Sequence, residues 1–124
     1  MSTNFTLFHN PKCSTSRAAL DAVNESSAQV DVVQYLKAPL EEQALRDLIA
    51  VLEDPATDLV RRDKKFAELG LTDADVETVD QVVAVLVEHP VLMQRPVLVE
   101  HDGATWTKAV IGRPKERIPQ LLNG

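Results

Sequence analysis

Apolar residues in this chain change period several times, and the changes mark out the predicted elements. Phe5-Thr6-Leu7-Phe8 reads as a strand, and the apolar stripe Ala18-Ala19-Leu20 with Ala22-Val23 predicts a helix over about residues 14–24. Val30-Asp31-Val32-Val33-Gln34-Tyr35 is rich in β-branched residues and predicts a second strand. The strand–helix–strand order favours a parallel pair joined by a right-handed crossover. The period then becomes helical. Pro39 is expected to open a helix in which Leu40, Ala44, Leu45, Leu48, Ile49 and Leu52 recur, with Asp54-Pro55 ending it. A further helical stretch is expected within 57–69, stopped by Gly70, and Thr72 is placed to cap the next one. Val79 to Glu88 is valine-rich, which makes strand a rival reading. Helix is preferred because Val79, Val82, Val83, Leu86 and Val87 fall on one stripe, with His89-Pro90 closing it.

The last third returns to strand spacing. Pro96 to Glu100 predicts a strand, His101-Asp102-Gly103 a hairpin turn, and Ala104 to Ile111 the return strand. Gly112-Arg113-Pro114 breaks that strand, and Lys115 to Leu122 predicts a closing helix with Pro119 in its first turn or kinking it. The order βαβ, helical block, ββα is that of an α/β, thioredoxin-like core with a mixed sheet. It is expected as a single domain over residues 1–124, with the helical insertion at about 37–90.

Composition narrows the function classes. A chain of 124 residues is long enough to bury a real core in one domain. The formal charge of −6 argues against a dedicated nucleic-acid binder. The densest basic group, Arg61-Arg62 and Lys64-Lys65, is interrupted by Asp63 and reads either as a solvated helix face or as an anion-binding cluster. No basic segment followed by an apolar run opens the chain, and no apolar stretch is long enough to span a membrane. A cytoplasmic protein without membrane contact is therefore expected. The single cysteine excludes an internal disulfide and a multi-cysteine metal site, and the histidines are too far apart for a local metal motif. Nothing in the sequence forces a dimer, so a monomer is the default.

Cys13 is the candidate nucleophile. It follows Pro11-Lys12 in a polar turn between a strand and a helix, where unpaired N–H groups and the positive end of the helix dipole favour a thiolate and can hold an oxyanion. The bland alternative is a small buried hydrophobe. Against it stand the hydroxyls of Ser14, Thr15 and Ser16, which can donate to a thiolate or bound oxyanion, and Arg17, which can add positive charge. His9 reads either as a structural hydrogen-bonder or, if charged, as a group biasing Cys13 toward thiolate. Ser16 stands where a Cys-x-x-Cys pair would carry its resolving thiol, so an oxidised Cys13 requires an external thiol. Arg61, Arg95 and Arg113 have the planar fork suited to tetrahedral oxyanions, but spacing alone does not bring them together.

The segment His9-Asn10-Pro11-x-Cys13-Ser14-x-Ser16-Arg17 resembles the signature of the glutaredoxin-coupled arsenate reductase family. Leu59-Val60-Arg61, Glu68-Leu69-Gly70-Leu71, His89-Pro90 followed by Arg95-Pro96-Val97, and Gly112-Arg113-Pro114 extend the resemblance from about residue 5 to 122. The resemblance implies a thioredoxin-like fold in which the cysteine matching Cys13 attacks arsenate. Arginines matching Arg61, Arg95 and Arg113 would hold the oxyanion, and a cis proline matching Pro96 would shape the site. Glutathione would attack the arseno-cysteine adduct and a glutaredoxin would regenerate the thiol, with no metal and no bound cofactor. The interval from Arg61 to Phe66 is one residue shorter than the usual spacing, which leaves either Arg61 or Arg62 to face the site. The absence of Cys-x-x-Cys separates the chain from redox-switching Spx-type regulators. Two rival functions remain at this level: a monothiol oxidoreductase on mixed disulfides, and a non-enzymatic Spx-like protein that binds RNA polymerase.

Overall fold

The computed structural model describes residues 4–123. Four strands, β1 (Asn4–His9), β2 (Gln29–Gln34), β3 (Val97–Asp102) and β4 (Thr105–Ile111), form one mixed sheet in the order β2-β1-β3-β4. β1 runs parallel to β2 and antiparallel to β3, and β3 pairs antiparallel with β4. The parallel pair encloses helix α1 (Ser14–Glu25). Between β2 and β3 lie α2 (Glu42–Val51), α3 (Lys64–Glu68) and α4 (Val79–Glu88), with three short 3-10 turns, and α5 (Arg117–Asn123) closes the chain. No helix among the described residues is long and apolar enough to cross a membrane.

Strand alternation divides the core in two. Phe5, Leu7, Leu98 and Val110 pack against Ala19 and Val23 of α1 and Ile118 and Leu121 of α5. Phe8, Val97, Val99, Ala109 and Ile111 pack instead against the helical insertion, through Leu45, Leu48, Val82, Val83 and Leu86. Phe8 meets Trp106 edge-on, with ring centroids 6.0 Å apart. The sheet is thus covered by α1 and α5 on one face and by the insertion on the other. The insertion is tied to β4 directly. Leu52 bridges Ala109, and the Asp54 carboxylate accepts from the Ile111 N–H (3.1 Å) and from Arg117 (2.7 Å).

One sequence-based element needs correction. The second helix starts at Glu42, not at Pro39, because Pro39, Leu40 and Glu41 stay outside it and the backbone of Glu41 is extended as the N-cap. The helical stretch expected within 57–69 is present as α3, set apart from the 3-10 turn Ala56–Leu59 that precedes it. Between the two Val60 pairs with Met93, with the Arg61 N–H donating to the Leu92 carbonyl (2.8 Å) and the Gln94 N–H to the Leu59 carbonyl (2.7 Å). The valine-rich segment is helical, capped by a reciprocal Thr78–Gln81 box. Pro119 sits in the first turn of α5, where its missing N–H costs nothing. Gly103 supplies the positive φ (61°) of the β3–β4 turn.

Gly112 matters for another reason. A Cβ there would lie 2.7 Å from Pro96 Cγ and 2.8 Å from Ile118 Cδ1, while its N–H donates to the Pro96 carbonyl (2.8 Å). Overpacking of this kind costs about 1–3 kcal/mol. Gly112→Ala is expected to lower unfolding free energy by about that amount in urea titration. An unchanged midpoint would show that Pro96 and Ile118 yield freely.

Candidate active site

Cys13 is the N-cap residue of α1, placed just beyond the C-terminal end of β1 by a tight turn. Its N–H donates to the Asn10 carbonyl (3.1 Å), and Asn10 Oδ1 accepts from the Lys12 N–H (3.0 Å). The turn is fixed from beneath by Ser16, whose fully buried Oγ accepts from the Asn10 N–H (3.0 Å) and is hydrogen-bonded to His9 Nδ1 (2.7 Å). The Ser16 hydroxyl is therefore committed to the loop, which corrects the sequence-based expectation that it donates to a thiolate or bound oxyanion; its contribution to the thiolate comes from its backbone N–H. His9 is itself buried. Desolvation pushes its pKa below the ordinary value, partly offset by Ser16 and reinforced by the charge of Arg17. Of the two readings, the geometry supports the structural hydrogen-bonder: a neutral ring lends Cys13 no charge.

Burial pushes the Cys13 thiol up, but the Ser16 N–H, the Arg95 side chain, the Thr15 N–H and the charge of Arg113 together bring it below the usual thiol range. Arg113 Nη2 donates to Cys13 Sγ (3.4 Å) while Arg113 Nε donates to the Arg95 carbonyl (2.9 Å). Arg95 extends its Nη1 to the carbonyls of Val91 (3.1 Å) and Met93 (3.5 Å), and its buried Nε has no acceptor among the described residues. The Arg95–Pro96 peptide is cis, as the resemblance implies; Arg113–Pro114 is cis as well. Two of the three arginines thus converge on the thiol from the flanks of β3 and β4.

Arg61 and Arg62 take opposite roles. Arg62 donates to the Thr57 carbonyl and hydroxyl, to the Val60 carbonyl (2.7 Å) and to Asp73 (3.2 Å), and lies over the Phe66 ring. Those contacts consume its guanidinium. Arg61 has one loose partner, Asp63 at 3.8 Å, and its charge reaches the Tyr35 hydroxyl beside Arg95. Arg61 is therefore the member of the pair on the Arg95 side, although no contact joins it to Cys13. Arg17 is not brought to the thiol; it folds back to donate to the Pro11 carbonyl (3.0 Å) and clamps the turn. Ser14 is exposed and Thr15 half-buried in the first turn of α1. Pro96 is buried beneath Gly112.

Tyr35 joins this cluster without belonging to any motif. It is fully buried, its hydroxyl donates to the Met93 carbonyl (3.3 Å), and Asn10, Arg95 and Arg61 face it. Burial pushes its pKa up, against the pull of those neighbours, so it is a neutral phenol that backs the arginines. The signal lay in the register: His9 pairs with Gln34, so the residue after Gln34 lies at the same sheet end as the Cys13 turn.

The depressed thiol has a direct consequence. Below its folded pKa the thiol is protonated and inert, and above it the thiolate reacts. The rate of Cys13 alkylation by iodoacetamide is therefore expected to rise with pH through a midpoint below that of a free cysteine. A midpoint at or above the free value would contradict this electrostatic account.

Comparison with known proteins agrees with the geometry. The ArsC family profile matches residues 8–121. The chain is 34% identical over 118 residues to the uncharacterized protein YfgD of Escherichia coli K12, covering 94% of each chain. It is 35% identical over 118 residues to an arsenate reductase of Neisseria meningitidis serogroup B, covering 94% of this chain and 96% of the relative. An arsenate reductase structure from Vibrio cholerae superposes with a TM-score of 0.80 at 29% identity, over 97% of this chain and 98% of that one. Since the match begins in β1, just ahead of the Cys13 turn, and runs into α5, past both arginines that face the thiol, this chain belongs to the ArsC family.

Proposed function

We propose that this protein is an arsenate reductase working through a Cys13 thiolate. The observation that carries the reading is the setting of Sγ: a lowered thiol pKa at a helix N-terminus, with the Arg113 guanidinium at 3.4 Å and Arg95 beside it. An anion-binding site is thereby built around a nucleophile. The orphaned Arg95 Nε supports it, since a buried charged donor without an acceptor is costly and an incoming oxyanion offers one. Arsenate reductases among the relatives support arsenate as that oxyanion.

The chemistry follows from one thiol and an outside supply of others. Arsenate binds against the N–H groups of Thr15 and Ser16, with Arg95, Arg113 and, on the Arg95 side, Arg61 balancing its charge. The Cys13 thiolate attacks arsenic; an S–As bond forms, an As–O bond breaks, and the oxygen leaves as water after taking protons. Arsenic is still pentavalent. An external thiolate, glutathione in this reading, then attacks Sγ. The S–As bond breaks, its electron pair stays on arsenic, and arsenite departs as the trivalent product. Cys13 is left in a mixed disulfide. Because it is the chain's only cysteine, a second external thiol must cleave that disulfide, which is the task assigned to a glutaredoxin. Two external thiols are oxidised per arsenate reduced, and no metal or bound cofactor takes part.

The test is arsenate-dependent NADPH oxidation coupled through glutathione, glutathione reductase and glutaredoxin. The expected result is a rate that saturates with arsenate. A folded protein giving no rate above the blank, with a panel of thiols supplied, would end the assignment.

A further inference from the structure

Arg113 can serve Cys13 only while no carboxylate draws it away. We infer that Arg117 is a positioning residue for the reaction: by occupying the Asp54 carboxylate it leaves the Arg113 guanidinium free to face Cys13. The inference deepens the reading of Cys13 as a nucleophile served by Arg113, and rests on it.

Arg113 shares a cavity of about 370 Å³ with Arg62 and Arg117 and with the carboxylates of Asp54 and Asp58. Arg62 is spent on Thr57, Val60 and Asp73. Asp58 is exposed, and a hydrated carboxylate gains little from an ion pair. The same holds for Glu116, which with Lys115 flanks Arg113 on its other side; both are exposed. Asp54 differs from these. Its side chain is only 17% exposed, and each oxygen has its own donor: Arg117 Nη1 on Oδ1 (2.7 Å) and the Ile111 N–H on Oδ2 (3.1 Å). The pair closes around the outer edge of β4, because Asp54 follows α2 on one face of the sheet and Arg117 opens α5 on the other. Its two tethers fall on Ile111 and Arg117, so they bracket Arg113 in sequence.

The consequence appears when Arg117 is taken away. Asp54 Oδ1 then loses its partner where little water reaches it, and a mostly buried carboxylate is costly to leave unpaired. Arg113 is the arginine of this cavity that forms no ion pair among the described residues. Its grip on Cys13 is a 3.4 Å contact to sulfur, whereas a guanidinium bonds a carboxylate oxygen at shorter range and more strongly. Asp54 freed of Arg117 therefore captures Arg113, and Cys13 loses the cation beside it. With Arg117 in place both Asp54 oxygens are filled, and Arg113 stays with the thiol.

A double-mutant cycle on Cys13 alkylation by iodoacetamide tests this without arsenate. Arg117→Met keeps the length of the side chain without its charge. It is expected to move the alkylation midpoint up in pH and, below the wild-type midpoint, to slow the reaction about 3–10-fold. Asp54→Asn removes the captor but keeps an acceptor for the Ile111 N–H, and alone should change the rate less than about 2-fold. Added to Arg117→Met, it should bring the rate back to within about 2-fold of wild type. Arg117→Lys, which can still pair with Asp54, should stay near wild type. Thermal stability gives a separate readout: either single change breaks the ion pair and lowers it, whereas only Arg117→Met slows the thiol. Summed charge at a distance predicts a different pattern, with Asp54→Asn speeding alkylation by the same factor in both backgrounds. That additive result would overturn the inference. So would an unchanged midpoint in Arg117→Met, or a double variant as slow as Arg117→Met. A low wild-type midpoint with any of these results would remove Arg117 and keep Cys13 as the nucleophile. A wild-type midpoint as high as that of a free cysteine would overturn both.

Discussion

Cys13→Ser is expected to abolish arsenate turnover while leaving the fold intact. In the coupled assay the rate should fall to that of the thiols alone, a loss of at least about 10³-fold, as for other enzymes stripped of their nucleophile. A serine hydroxyl at this position is not ionised near neutrality and forms no labile bond to arsenic that a thiol can later cleave. Structural damage is not a competing explanation. Cys13 is the N-cap of α1, with extended backbone (φ −100°, ψ 125°) and no side-chain capping bond. Serine is among the best N-cap residues, so the substitution replaces a poor cap with a good one, and thermal stability should hold or rise slightly. Undiminished turnover in the variant would remove Cys13 from the mechanism altogether.

What the sequence made legible here is local, and what it hid is long-range. The turn at Cys13 was readable because an apolar strand, a Pro-Lys-Cys-Ser break and an apolar helical stripe follow one another within about twenty residues. The Asp102-Gly103 hairpin and the stop at Gly70 (φ 74°) were readable because few other residues suit those backbones. Pairing across the chain had no such signature. Val60 pairs with Met93 between the 3-10 turn and α3, and the extended stretch so formed carries Arg61 and Arg62 to different partners. Arg113 lies a hundred residues from Cys13 and reaches it because β1, β3 and β4 are neighbours in the sheet. Three of the polar residues close to Cys13 in sequence proved unavailable to a substrate. Ser16 and Arg17 spend their side chains on the loop itself, and His9 is buried under it. Proximity along the chain supplied the turn, whereas the folded sheet supplied the charges.

Arg113→Ala is expected to cost about 10²–10³-fold in kcat/KM for arsenate, or roughly 3–4 kcal/mol of transition-state stabilisation. The side chain holds two positions at once: its Nη2 favours the thiolate at 3.4 Å, and its Nε holds the Arg95 carbonyl at 2.9 Å. Alanine removes a charge from beside Sγ and loosens the segment that presents Arg95, so both the nucleophile and the oxyanion cradle suffer. Both losses reach the thiol, but only the second acts on anion binding through Arg95. Loss of the Arg113 charge raises the Cys13 pKa, because a nearby cation had been lowering it, and the alkylation midpoint moves up in pH. Loosening of Arg95 weakens anion binding, which raises KM, and adds to the upward move of that midpoint, because the Arg95 side chain also lowers the thiol pKa. Arg113→Lys divides them: it restores a charge but cannot bridge two acceptors with one planar fork. Lysine should therefore recover the part of the pKa shift that the Arg113 charge supplies and little of the arsenate affinity. Equal recovery of both by lysine would reduce Arg113 to a point charge, and wild-type kinetics in Arg113→Ala would leave Arg95 and the helix N–H groups as the whole of the cradle.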